Sequence, residues 1–483
     1  MKYNLHIDTL IQWLNDTIFP IFSRGTPSEK SFRKRLLRSN LFILIFFIFP
    51  FSFFNLNCNN KPILPPDDKP IYTQCISLTT EEIGVTDAWL KVKFTDTTVN
   101  RSFKLVRDGQ TVLSALCSSL DTVVLDENLL PNHIYNYKAL RLVDTKAVDS
   151  ALLDVTTMDT TSHNFTWTSY VLGDGNSSLL NDVAIVKDTC VWVVGEIYKR
   201  DSTGQIDPSA YNAAYWNGVK WELKRILMHD WGGVEIYAPI QTVIAFSPND
   251  IWAASGAELV HWNGNIWTSK AFFMVDVPFN GQVLKMWGTS GNNIYCVGRT
   301  GAIYHYNGTD WTKIESGTTL DINDIYGTLN KKTGEYEVLA VAAKLFSGHD
   351  RKIIKISNTS TEFLSDIGID YALATLWFTP NKHYYLFGGS FYEKKRLTDA
   401  SWVQKFDLTS WYLWRIRGTE INDVVAAGAY GELLHFNGYR WKSFLSVINL
   451  GDDSFSSVDI KGNLIVAVGM KYPRAFIAVG RRN

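Results

Sequence analysis

The sequence is poor in cysteine and lacks the familiar motifs of catalysis and metal binding. Five cysteines occur in 483 residues, and their spacing fits no zinc site. The sequence contains no phosphate-binding loop, nucleophile elbow or zinc-binding helix motif. It therefore predicts no catalytic residue, no metal and no cofactor, although an enzyme whose catalytic residues are scattered along the chain would leave no such motif.

An excess of charge of one sign is also absent. Lys and Arg number 47 against 48 Asp and Glu, which gives a formal net charge of −1. The one basic cluster lies near the N-terminus, at 30–38. Because neutralisation of phosphates dominates affinity for nucleic acids, this balance argues against a nucleic-acid partner.

Aromatic residues, by contrast, are abundant. They make up 14% of the chain, with 17 Trp, and hydrophobic residues reach 46%. Short apolar runs separated by glycine and rich in tryptophan are typical of all-β proteins. Because 483 residues exceed one ordinary core, two or three folding units are expected.

The N-terminal part is predicted to be a signal or anchor helix. After the basic cluster comes a stretch of sixteen uncharged residues, 41–56, and then Cys58. This order resembles a bacterial lipoprotein signal, which implies lipidation of Cys58, although Asn55 and Asn57 depart from the usual lipobox. The alternative is an uncleaved anchor, short for a span of about 20 residues. Either interpretation predicts export, with 1–57 as the signal or anchor and 58–74 as a Pro-rich linker.

Residues 75–158 are predicted to form a β-sandwich. Trp89 falls on an early strand-like run, and Leu129, Pro131 and Tyr135 match the Leu-x-Pro-x-x-x-Tyr pattern of fibronectin type III modules. The resemblance implies a two-sheet sandwich in which the tyrosine makes a corner hydrogen bond.

A phrase of an aromatic residue, Asn-Gly, two further residues and Trp recurs through the C-terminal part. Its Asn-Gly pairs begin at 217, 263, 307 and 437, at intervals of 46, 44 and 130 residues. The last interval is about three times the others, and degenerate copies lie at 336–357 and 383–406. An ungapped alignment of 282–311 with 412–441 gives nine identities in thirty positions. The predicted structural residues of the repeat are Asn217, Gly218, Trp221, Asn263, Gly264, Trp267, Asn307, Gly308, Trp311, Asn437, Gly438 and Trp441.

Each repeat predicts four short strands, and four-stranded sheets at this period are propeller blades. Asn-Gly joins the third and fourth strands, because a tight hairpin needs residues that accept positive φ. The Trp then begins the outer strand and packs on a neighbouring sheet. Six units are complete; a seventh, 456–480, has three strands, and 165–172 is predicted to supply the fourth. The expected fold of 165–483 is a seven-bladed β-propeller closed by an N-terminal strand.

Two other recurring features have both a structural and a chemical interpretation. His261, His305 and His435 occupy one repeat position and are predicted to pack beside the hairpin rather than bind a metal. Asn-Asp pairs recur at 181–182, 249–250, 323–324 and 422–423. They are predicted to form turns, and the alternative is that their carboxylates line a channel as acid and base.

Departures from the repeat are the predicted places for a ligand, because loops on a rigid scaffold commonly carry binding residues. The first repeat carries an insertion, and a long connection follows it. In these loops Tyr198, Trp231 and Tyr237 are predicted to stack on a ligand, and Arg200 and Asp201 to orient it. The ligand is expected to be a carbohydrate or a peptide.

The whole layout resembles exported bacterial lipoprotein-like proteins in which a fibronectin type III-like module precedes a seven-bladed β-propeller. The resemblance implies a protein anchored to the membrane at the cell envelope, at the outer membrane or cell surface. The predicted function is non-catalytic binding of a carbohydrate or protein ligand. Two alternatives stay open: a propeller enzyme acting on glycans, as a glycosidase or lyase, and a scaffold for envelope assembly.

Overall fold

The computed structural model describes residues 75–95, 101–230, 233–271, 281–346, 349–406 and 408–483. The predicted signal or anchor segment, the linker and Cys58 lie outside these residues. Within the described ranges, no helix is long and apolar enough to cross a membrane. The described residues are almost entirely strands and turns, so the prediction of an all-β fold is confirmed.

The first unit is a sandwich of two sheets. Its strands are β1 (Ile76–Ile83), β2 (Asp87–Phe94), β3 (Arg101–Arg107), β4 (Gln110–Cys117), β5 (Asp121–Glu127), β6 (Ile134–Val143) and β7 (Lys146–Thr156). One sheet has the order β1-β2-β5 and the other β4-β3-β6-β7. Inward and outward residues alternate along β6, as expected of a strand with one buried face. Phe94 and Phe103 meet edge to face in the core, with ring centroids 5.8 Å apart.

A tyrosine closes one corner of the sandwich. The Leu130 N–H donates to the Tyr135 hydroxyl at 2.8 Å. Beside it, the Tyr137 hydroxyl donates to Asp126 Oδ2 at 2.7 Å, and Arg107 pairs with the same carboxylate at 2.8 Å. The corner therefore ties the connection before β6 to the core.

Within the described ranges, seven four-stranded antiparallel sheets follow the sandwich. The first comprises β9 (Gly175–Lys187), β10 (Cys190–Tyr198), β11 (Tyr211–Trp216) and β12 (Trp221–Lys224), preceded by β8 (Phe165–Leu172) and followed by the small pair β13 (Met228–His229) and β14 (Glu235–Ile236). The second comprises β15 (Thr242–Ser247), β16 (Asp250–Ser255), β17 (Glu258–Trp262) and β18 (Trp267–Ala271). The third comprises β19 (Val283–Ser290), β20 (Asn293–Gly298), β21 (Ile303–Tyr306) and β22 (Trp311–Lys313).

The remaining sheets continue in the same order along the chain. The fourth comprises β23 (Ile322–Asn330), β24 (Glu335–Ala343), β25 (Arg351–Ile356) and β26 (Thr361–Leu364); the fifth, β27 (Leu373–Thr379), β28 (His383–Gly388), β29 (Phe391–Lys394) and β30 (Val403–Lys405). The sixth comprises β31 (Leu413–Glu420), β32 (Asp423–Gly428), β33 (Leu433–Phe436) and β34 (Trp441–Ser443). A short helix α1 (Leu445–Ile448) precedes β35 (Phe455–Lys461), β36 (Leu464–Lys471) and β37 (Arg474–Arg482), and 3₁₀ turns occur at Arg299–Gly301 and Ala429–Gly431.

The first strands of these sheets pack side by side in a closed ring, so the prediction of a β-propeller is confirmed. The last sheet has the order β35-β36-β37-β8, and β8 pairs antiparallel with β37 along its whole length. Strands from both ends of the propeller segment therefore complete one sheet. This closure leaves no open edge between the last sheet and the first.

The repeated phrase forms the turn between the third and fourth strands. In HYNGTDW, Asn307 Oδ1 accepts the N–H of Thr309 at 2.9 Å and of Asp310 at 2.8 Å, and Gly308 has a φ of 99°. The glycine alone takes the positive φ that the sequence predicted for the pair, while the asparagine side chain caps a four-residue loop. The same arrangement recurs at Asn217-Gly218, Asn263-Gly264 and Asn437-Gly438.

The tryptophan that ends the phrase begins the fourth strand and packs on the preceding sheet. Such aromatic contacts contribute about 0.5–1.5 kcal/mol beyond the burial of their area. The pairs, with centroid distances, are Trp221–Tyr170 (6.2 Å), Trp267–Trp192 (5.5 Å), Trp311–Trp252 (6.5 Å) and Trp441–Tyr385 (6.3 Å). One phrase thus supplies both a turn and a contact between sheets.

Two glycines shared by the aligned repeats mark a close approach of backbones. Gly298 and Gly428 end the second strand of their sheets, opposite the start of the first strand. A Cβ at Gly298 would lie 1.9 Å from Gln282 O, and one at Gly428 would lie 2.1 Å from Tyr412 O. Since backbone oxygens cannot move aside as a flexible side chain can, both positions require glycine.

Replacement of Gly428 by Ala is therefore expected to destabilise the propeller by about 3 kcal/mol, the upper end of ordinary overpacking. Urea unfolding followed by tryptophan fluorescence measures this change. Lys461→Ala, at an exposed position on β35, is the control and should stay within about 0.5 kcal/mol of the parent. Equal stability of Gly428→Ala and the control would contradict the backbone clash.

Two histidines join the entry to β8 with the sixth sheet. His435 Nε2 lies 2.9 Å from Asp423 Oδ1, and His435 Nδ1 lies 2.7 Å from His163 Nδ1. Because the carboxylate can only accept, the proton of neutral His435 is on Nε2, and its Nδ1 accepts from His163. Burial, reinforced by the nearby His435, lowers the pKa of His163 to about 4.

This pKa predicts acid sensitivity. A folded pKa near 4 lies below the ordinary value of about 6.5, so the unfolded chain binds more protons between these pH values. The contribution of His163 to stability should be constant above pH 6.5 and should fall as the pH drops from 6.5 to 4. His163→Asn keeps a donor at this position and should flatten the slope of the melting temperature against pH. His349→Asn, at an exposed histidine, is the control, and identical slopes in the two variants would contradict the assignment.

Candidate binding site between the sandwich and the propeller

Charged side chains fix the sandwich to one face of the propeller. This face carries the turns that join first to second and third to fourth strands, in sheets four to six. Asp87 on β2 is buried and pairs with Lys395 Nζ at 2.7 Å and with His383 Nε2 at 3.3 Å. Burial alone would raise the pKa of Asp87, but the His383 hydrogen bond and the Lys395 charge lower it to about 2.

Two further ion pairs span the same seam. Lys332 pairs with Glu81 at 2.5 Å, and Lys382 pairs with Glu82 at 2.5 Å. Both lysines come from turns after first strands of the propeller, and both glutamates come from β1. In each of these ion pairs the acidic group belongs to the sandwich and the basic group to the propeller.

A cleft of 570 Å³ opens beside these pairs, between the two units. This junction cleft has a volume within the range of sites that bind small molecules or peptide segments. Its walls combine aromatic, amide and charged side chains. The lining includes Trp89 and Val123 from the sandwich and Tyr326, Asn330, Lys331, Trp377, Asn381, Arg396 and Glu420 from the propeller.

A second depression of 540 Å³ continues the junction cleft along the sandwich. Trp89, Val123 and Arg396 line both, so the two form one path. This edge groove lies between β4 and β5, which are edge strands of their sheets. No described strand pairs with the outer side of β5.

The alternation of hydrogen bonds decides which backbone groups of β5 face outward. The Phe94 N–H donates to Leu120 O at 2.8 Å, and the register of β2 with β5 continues without a shift. Bonded and non-bonded pairs alternate in an antiparallel ladder, so the peptide groups of Val123 and Leu125 point away from β2. Both residues line the edge groove, which places beside it N–H and C=O groups that pair with no described strand.

Trp89 stands where the junction cleft and the edge groove meet. The Arg396 guanidinium lies over its ring, 4.0 Å from the centroid. Trp89 is 4% exposed, and its Nε1–H has no hydrogen-bond partner in the described structure. A buried donor without a partner costs about 1–3 kcal/mol, so a ligand acceptor at this place would recover that energy.

The channel of the propeller is closed by one polar side chain from each sheet. These seven side chains occupy equivalent positions on the first strands and are all buried: Asp182, Thr242, Lys285, Asp324, Thr375, Arg415 and Ser457. We call them the inner ring. They form two groups, each centred on one aspartate.

Asp182 is the centre of the first group. Its carboxylate pairs with Lys285 Nζ at 2.5 and 2.6 Å, and it accepts the Thr242 hydroxyl, the Ser457 hydroxyl and the Val243 N–H at 2.8, 2.8 and 3.0 Å. Burial would raise the pKa of Asp182, but Lys285 lowers it. Burial in turn lowers the pKa of Lys285 to about 8.

Asp324 is the centre of the second group. Arg417 binds both of its oxygens, at 2.8 and 2.9 Å, and Arg415 pairs with Oδ1 at 2.5 Å. The Thr375 hydroxyl and the Leu376 N–H donate to Oδ2 at 2.6 and 3.2 Å. Both aspartates are thus engaged in structural ion pairs.

The Asn-Asp pairs therefore occur in two different places. Those at 249–250 and 422–423 lie at turns before second strands, as the sequence predicted. The prediction of turns is wrong for Asn181-Asp182 and Asn323-Asp324, which lie within β9 and β23. There the bulged register turns the aspartate into the channel, where basic side chains of other sheets meet it.

The repeat histidines pack beside the hairpins, as predicted. Each bonds through Nε2 to the residue that begins the second strand of its own sheet: His261 to Asp250 at 2.9 Å, His305 to Asn293 at 2.7 Å and His435 to Asp423 at 2.9 Å. Among the described residues, no three His, Cys, Asp or Glu side chains converge as a metal site.

Three of the predicted ligand residues lie at the end of β10 and in the loop that follows it. The Tyr198 hydroxyl donates to Glu196 at 2.5 Å, and the Arg200 guanidinium donates to Gly204 O at 2.6 Å. Asp201 accepts backbone N–H groups two and four residues further on, at 2.8 and 3.0 Å. These polar groups brace their own loop, and a ligand role for them remains a prediction.

The other two predicted residues do not join that group. Tyr237 is 38% exposed and lies 5.7 Å, from ring centroid to guanidinium, from Arg225, which also stacks on Tyr211. Trp231 lies outside the described residues. The sequence drew attention to Trp89 as a strand residue but gave no sign of its contact with Arg396, because the two lie in different units.

Comparisons with known proteins bear on the fold alone. No family model matches the chain, and no curated protein does. Similar solved structures include "YCF48 bound to D1 peptide", at 16% identity over 66% of this chain and 95% of that chain, with a TM-score of 0.49. Others are the WD40 β-propeller domain of Doa1 (12%, 65% and 96%, 0.46) and the C-terminal WD40 domain of Sif2 (11%, 65% and 99%, 0.39).

The ion pairs of the inner ring yield a prediction for stability. Lys285→Met leaves Asp182 as a buried carboxylate without its basic partner, which is expected to cost about 3–5 kcal/mol. The double variant Asp182→Asn, Lys285→Met removes both charges and should recover most of this loss. Urea unfolding of the parent protein, Lys285→Met and the double variant measures these changes in the free energy of unfolding. A double variant no more stable than Lys285→Met would contradict the pairing.

Proposed function

We propose that the protein is a non-catalytic binding protein that takes an extended segment of a partner protein along the path formed by the junction cleft and the edge groove. The observation that carries the proposal is the meeting of three features on one path. These are the outward peptide groups of β5, the partnerless Trp89 N–H and a 570 Å³ cleft walled by both units.

An extended peptide fits this path better than a sugar does. An edge strand with unpaired N–H and C=O groups binds another strand through main-chain hydrogen bonds, and flanking depressions then select side chains. Val123 and Leu125 supply such groups beside the edge groove, and a peptide carbonyl is the acceptor that Trp89 lacks. The carbohydrate ligand expected from the sequence has no comparable main-chain partner here.

Several finer assignments belong to the same proposal. Strand order and the Tyr135 corner bond support a fibronectin type III-like module, and the seven sheets support a seven-bladed propeller. The basic cluster and apolar stretch before Cys58 support export and anchoring at the cell envelope. The sandwich then acts as a stalk that also forms one wall of the site.

Val123→Pro tests strand addition. Proline removes an N–H that faces the groove and not one that bonds β2, so the edge strand should tolerate it. Random peptides displayed on phage are selected on the full chain in detergent, and the selected peptide is the probe. Its affinity should fall at least about tenfold in Val123→Pro, and about tenfold in Trp89→Phe, which keeps the ring under Arg396.

Val123→Thr is the matched control, because it changes the side chain but keeps the N–H. It should bind the selected peptide like the parent protein. Circular dichroism and melting temperature show whether each variant keeps the fold. Failure to select any peptide, or a peptide that binds Val123→Pro and Val123→Thr equally well, would contradict the proposal.

A further inference from the structure

A small cavity of 140 Å³ lies at the channel mouth that faces the sandwich. Lys285, Tyr326, Arg417 and Asp459 contribute its polar lining, and the rest is mostly apolar. Tyr326 also lines the junction cleft, so the cavity adjoins that cleft. It sits directly above the inner ring.

The charges in this cavity are unequally matched. Both Asp182 oxygens engage Lys285, and Asp324 is shared by Arg417 and Arg415, so three cations surround the two ring aspartates. Among the described residues, the Asp459 carboxylate accepts two backbone N–H groups, from residues 185 and 460, each at 2.9 Å. No ion pair in the described structure includes it.

Asp459 is therefore a partly buried carboxylate that makes no ion pair among the described residues, although Lys285 and Arg417 line the same cavity. Burial raises the pKa of Asp459, and the more distant positive charges of Arg417 and Lys285 do not overcome this effect. After burial, the main cause, Asp459 and Glu420 both raise the pKa of Tyr326. The negative charges of two carboxylates are therefore felt at Tyr326, where the cavity meets the junction cleft.

The size of the cavity limits what enters it. Sites for whole small molecules usually have about 300–1,000 Å³. The 140 Å³ cavity lies below this range, and the head of one side chain fits in it.

We infer that the channel mouth receives the lysine or arginine head of the bound peptide, and that Asp459 pairs with this cationic group. The inference rests on the proposed function, since the peptide backbone would lie in the junction cleft. It adds the class of side chain that the site selects. Glu420, which lines the junction cleft at the same mouth, reinforces the preference for positive charge.

Two probes that differ in charge alone test the inference. Nα-acetyl-arginine amide carries a guanidinium, and Nα-acetyl-citrulline amide is its neutral isostere. Calorimetric titration of the full chain should give at least about tenfold tighter binding of the arginine probe, because a desolvated charge pair is lost with citrulline. Asp459→Asn keeps an acceptor for the backbone N–H groups and should remove the difference between the probes.

Asp453→Asn is the matched control, since Asp453 also accepts a backbone N–H, from Tyr472 at 3.0 Å, but does not line the cavity. It should keep the full preference. Equal binding of the two probes to the parent protein, or an undiminished preference in Asp459→Asn, would overturn the inference. A preference lost in Glu420→Gln and kept in Asp459→Asn would also overturn it.

The peptide selection separates this inference from the function on which it rests. Selected peptides are expected to contain a Lys or Arg whose replacement by Gln weakens binding to the parent at least about tenfold but hardly affects binding to Asp459→Asn. Peptides that lack basic residues yet depend on Val123 and Trp89 would overturn the inference and leave the proposed function standing.

Discussion

The structure depends on two buried aspartates, each of which links a group of neighbouring sheets in the propeller. Asp182 lies on the first sheet and holds groups of the second, third and seventh. Asp324 lies on the fourth and holds groups of the fifth and sixth. Each also accepts a backbone N–H from the next first strand, so the sheets are linked by side chains where no ladder joins them. Since an uncompensated buried charge is costly, the basic partners are as necessary as the aspartates.

This inner ring also determines where a ligand can be held. It occupies the channel with buried ion pairs, and a small depression remains at the mouth on the side of the sandwich. The cleft there exists because a second unit stands on that face, fixed by the pairs at Asp87, Glu81 and Glu82. A rigid ring suits such a site, since both walls must keep their distance for the path to persist.

The sequence predicted the parts of the fold that depend on local chemistry. The Asn-Gly phrase predicted a turn, because capping and positive φ are properties of four adjacent residues. The Trp that follows predicted a contact between sheets, because each copy meets the same surroundings. The shared glycines were visible as identities, but their cause was not, since the oxygen opposite Gly298 belongs to a distant part of the chain.

The same Asn-Asp pair lies in a turn in some repeats and in the channel in others, because a bulge shifts the register of the strand. The candidate site joins Trp89 to Arg396 across two units, and no local pattern relates them.

An exposed edge strand can pair with strands of other chains, so its exposure in a folded protein requires an explanation. β5 carries acidic residues at both ends, Asp121 and Glu127, which discourage a long flat partner. Its middle, at Val123 and Leu125, is left open, and there the edge runs beside a groove bounded by Lys395 and Arg396. Protection at the ends and access in the middle limit a partner to a short extended segment that also fits under the propeller. That restriction follows from the strand order of the sandwich and the position of the propeller together, and neither unit alone would impose it.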